Sequence, residues 1–170
     1  VIDFKKYLIP VIESITDSPG EKISIEFFNK EWNVTRYINK NNCMVADEAV
    51  INEFDEFVGK MNEYSLKILP EFLQREKAAA EELARTGFYP WDIEFKSIKD
   101  ISGFIVTDLH MFVEKDFIRG FKVAGKDGLN GEEGWSIYFE NKNSQYKIRM
   151  KPVMTISDYN IFIGSYKNFP

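Results

Sequence analysis

The chain carries a single cysteine and a single histidine in 170 residues. One thiol excludes an intrachain disulfide framework and every multi-cysteine metal site. One imidazole excludes any centre built on two. Arginine is also scarce: Arg36, Arg75, Arg85, Arg119 and Arg149 are 5 of the 22 basic residues, and the other 17 are lysine. Arginine supplies the planar fork that reads phosphate and guanine. Its scarcity, with a net charge of −5, argues against nucleic acid or an anionic membrane as the main partner. No apolar run approaches the ~18–20 residues of a membrane span. Low-complexity tracts, internal repeats and long linkers are missing too, so neither disorder nor a second domain is expected.

What is present suits one domain over residues 1–170. Apolar residues make up 44% and aromatics 15%, enough for a core that needs no covalent staples. The sequence opens at Val1 rather than Met, which is compatible with a removed leader. A free Cys43 suits a reducing compartment, so the cytoplasm is the expected location.

The pattern of elements predicts an α+β fold. Phe4, Tyr7, Leu8, Val11, Ile12 and Ile15 give helical spacing over Asp3–Thr16, with Pro10 inside it. Lys22–Asn29 and Trp32–Asn39 alternate as a hairpin, the second strand reading as an edge because neither face is purely apolar. Asn39–Asn42 reads as a loop. From an expected N-cap at Asp47, Val50, Phe54, Phe57, Met61, Tyr64 and Ile68 form an apolar stripe. Pro70 kinks or divides the segment, Phe72, Leu73, Ala80 and Leu83 continue it, and Thr86-Gly87 ends it. Period-two patterning then predicts strands at Ile105–Val113, Phe117–Ala124, Trp135–Glu140, Tyr146–Lys151 and Asn160–Ser165. The whole is an antiparallel, meander-like sheet of five to seven strands, with a long kinked helix on one face and a short N-terminal helix.

Motif-like strings are incomplete. Gly120–Asp127 matches the phosphate-loop pattern until its last position, where Asp127 replaces the hydroxyl that ligates magnesium, and it lies in a strand. Asp127–Glu133 has Leu129 where a calcium loop needs an oxygen ligand. Cys43 has only His110 as a conceivable imidazole partner. The paired acids Glu53/Glu56 and Glu81/Glu82 read as a solvated helix face. Asp108, His110 and Glu114 project from one strand face and, with Trp91 and Trp135, are the candidate contacts for a ligand or partner. No catalytic residue, metal ligand or cofactor is assigned.

Glu26-Phe27-Phe28-Asn29-Lys30-Glu31-Trp32, the acidic long helix and Gly134-Trp135-Ser136-Ile137-Tyr138-Phe139 together resemble small uncharacterised bacterial α+β proteins. Some of these are similar to immunity proteins of polymorphic toxin systems. The resemblance implies a non-enzymatic protein that acts by binding a protein partner, and it transfers no functional residue. The absence of a complete catalytic constellation points the same way. The alternative expectation is a small-ligand binder or enzyme with a pocket between the long helix and the sheet, centred on His110. A homodimer through the edge strand Trp32–Asn39 is the third.

Overall fold

The computed structural model describes residues 16–17, 20–87, 94–165 and 169. Strands β1 (Thr16–Asp17), β2 (Glu21–Phe27) and β3 (Lys30–Asn41) precede one long helix, α1 (Asp47–Arg85). Then follow β4 (Ile105–Glu114), β5 (Phe117–Lys126), β6 (Trp135–Asn141), β7 (Met154–Ile156) and β8 (Tyr159–Ser165). The sheet order is β1-β3-β4-β5-β6-β8-β7, with β2 also paired to β3. The α+β class and the mostly antiparallel sheet are as expected; the N-terminal helix, apart from Thr16, falls outside the described residues. No helix among the described residues is long and apolar enough to cross a membrane.

The expected stripe makes α1. Val50, Phe54, Phe57, Met61, Tyr64, Ile68 and Phe72 are all 5% exposed or less. Helix and sheet thus share one apolar cluster with Leu109, Met111, Phe121, Val123, Ile137, Phe139, Ile161 and Ile163. Pro70 sits inside the helix rather than dividing it. It removes one backbone hydrogen bond, and the stripe buried on both sides of it carries the helix through. The N-cap is Ala46, whose methyl offers no side-chain cap; Asp47 is the first helical residue, and its carboxylate pairs with Lys40. Gly87 ends the helix at φ +82°, a value that favours glycine.

Two expectations about strands fail. Trp32–Asn39 is not an edge: β3 pairs with β2 on one side and, in parallel, with β4 on the other. A parallel pair needs a long connection, and α1 provides it. This also removes the edge proposed for a homodimer, and β3 continues through Asn41 where a loop was expected. Tyr146–Lys151 is not a strand. The β6 edge is taken by β8, whose Ile161 and Ile163 enter the core. Tyr146 and Met150 are instead 44% and 50% exposed. Six alternating residues could not decide between the two strands.

Candidate functional site

Asp108 and His110 come together, and Glu114 does not join them. One residue from each of five neighbouring strands forms a row on the sheet face turned away from α1: Tyr37, His110, Lys122, Tyr138 and Phe162. His110 stacks on Tyr37 with centroids 4.8 Å apart. Its Nε2 lies 3.8 Å from Asp108 Oδ2. Lys122 is 5% exposed, and that burial depresses its ammonium pKa against an opposing pull from Asp108. Tyr138 is buried and its phenol is pushed up for that reason. Glu114 lies further along β4, in an ion pair with Arg119 at 3.2 Å. Arg119 sits 5.0 Å over the Tyr146 ring. The face is thus built of groups that contact one another, and His110 does not face α1.

Trp135 is a core residue. It is 1% exposed, stacks on Phe104 at 5.0 Å, and its indole N–H donates to the Lys126 carbonyl at 3.3 Å. Gly125 lies beneath it because a Cβ there would stand 2.5 Å from the Trp135 ring. Trp91 falls outside the described residues. The phosphate-loop string lies within β5 up to Lys126, followed by the three-residue 3-10 turn Gly131–Glu133 rather than a helix. Cys43 is buried.

A second cluster ties the 127–130 turn to α1. Asn130 Nδ2 donates to Glu76 Oε1 at 3.1 Å and to Asp127 Oδ1 at 3.0 Å. The same Asp127 oxygen accepts from the backbone N–H groups of Leu129 and Asn130, each at 2.9 Å. Burial, a hydrogen bond with Asp127 and the Asp127 charge push the Glu76 carboxyl up to about 9. Glu76 is therefore protonated at neutral pH and donates to Asp127. Among the described residues, no group of three or more His, Cys, Asp or Glu is placed to hold a metal ion. The pair is a clamp that shapes the loop.

An open concavity lies elsewhere, where the β2–β3 turn, the middle of α1 and residues 97–105 meet. It has a volume of about 800 Å³. Its floor includes Phe28, Trp32, Leu69, Ile101 and Phe104, and its polar members are Asn29, Lys30, Ser97 and Lys99. Among the described residues, the lining holds no carboxylate, imidazole or thiol. Ser97 Oγ accepts the Lys99 N–H in a capping box, and Asp100 completes it by accepting the Ser97 N–H. Leu66 and Ile105, on the rim, are 40% and 44% exposed.

The turn at this site is strained. Phe28 and Asn29 close the two-residue hairpin at φ +52° and +57°. Asn-Gly is the usual choice for such a turn, and a bulky residue at positive φ costs energy. α1 holds the turn in place: the Phe28 N–H donates to Ser65 Oγ at 2.8 Å and the Asn29 N–H to Asn62 Oδ1 at 2.8 Å. The Phe28 ring thereby reaches Phe72 and Phe104, at 5.2 and 6.0 Å. Sequence reasoning missed this site, although it carries signals. Phe28 interrupts the polar side of an alternating strand, and Leu66 is an apolar residue off the α1 stripe.

No family model, curated protein or solved structure matches the chain.

Proposed function

We propose that this chain is a non-enzymatic interaction module that recognises a protein partner through the concavity at the β2–β3 turn. The observation that carries this reading is the composition of that surface. It is an aromatic and aliphatic floor with exposed apolar residues on its rim and, among its described lining residues, no acid, base or nucleophile pair. Contiguous exposed apolar surface framed by polar groups marks interaction sites, and buried aromatic pockets receive the anchor residues of partners. Backbone strain held at Phe28 by α1 adds support, because strained residues concentrate at functional surfaces. A protein partner is also what the resemblance to immunity proteins implies.

The test is affinity capture from the native cell with the intact chain and with a Leu66→Asp/Ile105→Asp variant. Both positions are exposed, so the variant is expected to fold, which circular dichroism checks. A stoichiometric protein captured by the parent and lost from the variant supports the reading. Retention of that protein by the variant moves the interface elsewhere, and capture of nothing stoichiometric overturns the module.

A further inference from the structure

The same concavity carries information about the chemistry of its occupant. We infer that it receives a partner segment presenting an apolar side chain next to a carboxylate, and this rests on the reading above. The chain as a whole has a net charge of −5, yet among the described lining residues the ionisable side chains are Lys30 and Lys99, both exposed. Lys30 Nζ lies 4.6 Å over the Trp32 ring, which holds the ammonium above the apolar floor. The neighbouring acids Glu26, Glu31 and Asp100 are not among the described lining residues, and each is held in a hydrogen bond. Glu26 accepts from Asn62 at 2.9 Å, Glu31 from Ser24 at 2.8 Å, and Asp100 from the backbone of Lys96 and Ser97. Two ammonium groups among the described lining residues, with no carboxylate beside them in that lining, select the sign of what docks there, and the aromatic floor selects an apolar anchor.

The probes are two synthetic peptides, acetyl-Glu-Leu-Phe-Glu-amide and its counterpart with both Glu replaced by Gln. Each is titrated into the full chain while amide shifts are followed by NMR at low salt. Saturable shifts at residues 28–32, 66–69 and 97–105 are expected. The Glu peptide should bind about three- to tenfold tighter, as two exposed ion pairs allow. That margin should shrink as salt is added. A Lys30→Gln/Lys99→Gln variant should bind the two peptides equally while keeping its affinity for the Gln peptide.

Equal binding of both peptides by the parent, shifts on another face, or no saturable shift overturns the inference. Sodium decanoate competing at lower concentration than the Glu peptide would make the occupant a small amphiphile. Concentration-dependent shifts of the same residues without peptide would make it a second copy of the chain. Either result also overturns it. None of these outcomes alters whether native capture depends on Leu66 and Ile105, so the two readings fail separately.

Discussion

Phe121 and Lys122 are neighbours on β5 and are 0% and 5% exposed, yet they enter opposite environments. Phe121 faces α1 and stacks on Phe57 with centroids 3.9 Å apart. Lys122 faces away, in the row that holds His110 and Tyr138. Burial alone therefore does not distinguish the two faces of the sheet. One face excludes water with hydrocarbon; the other buries polar groups that must satisfy one another. The first should set how stable the fold is. The second should add a pH response opposite in sign to that of the buried acid on the α1 side.

The sharpest contrast comes from shortening Phe121. Phe121→Ala removes a ring that also meets Phe54 and Tyr159, at 5.9 and 6.0 Å. A loss of about 3–5 kcal/mol is expected from transfer and cavity terms, read from urea denaturation midpoints. A loss below about 1 kcal/mol would mean that this face collapses freely and is no tighter than the other.

Next in size is the buried acid on the α1 side. The Glu76 carboxyl is held up to about 9 from an ordinary 4.5, chiefly by burial. The folded chain then binds more protons than the unfolded one across that interval. Stability is full below about 4.5 and falls as pH rises through about 9. By pH 7 the loss is on the order of 3–4 kcal/mol. Glu76→Gln keeps a donor toward Asp127 and cannot ionise, so its thermal midpoint should be nearly flat between pH 5 and 8 while the parent declines, over a range of about three pH units. A parent curve as flat as the variant's would remove the clamp from the account.

The turn at the concavity tests a third kind of burial, that of a backbone donor. Ser65 is fully buried and accepts the Phe28 N–H. Ser65→Ala leaves that donor without its acceptor in a turn already at positive φ. The expected cost is about 1–3 kcal/mol, with amide exchange at Phe28 and Asn29 accelerated by more than at Phe121. Unchanged exchange at the turn would show that Asn62 suffices to hold it.

These effects map onto what the sequence disclosed. The α1 stripe, the β2–β3 hairpin and the strands β4, β5, β6 and β8 were legible because each repeats one period over many residues. The pairing of β3 with β4 was not, since a parallel neighbour is chosen by the crossover rather than by local pattern. The company of His110 was hidden for a sharper reason. From Glu114↔Phe117, regular antiparallel pairing would set His110 opposite Phe121. The register shift between Phe112 and Val113 instead sets it opposite Lys122, and a slip of one residue exchanges the two faces. A second shift between Val106 and Asp108 restores the earlier count. No composition rule announces such bulges, so the candidate trio was identified without Lys122, its buried cross-strand neighbour.

The smallest effect concerns that lysine and is a slope rather than a midpoint. Burial depresses the Lys122 ammonium below its usual 10.5. Between its depressed pKa and 10.5 the unfolded chain binds more protons than the folded one, so this group makes stability rise with pH, opposite in sign to Glu76. Lys122→Met retains length and removes the charge. In the Glu76→Gln background, where the larger slope is gone, the parent lysine should leave an upward drift at alkaline pH that Lys122→Met abolishes. Asp108→Asn should steepen the drift, because Asp108 is the charge that favours the protonated amine. If Lys122→Met leaves the alkaline limb unchanged, the row facing away from α1 is insulated from protons, and the two faces differ in packing alone.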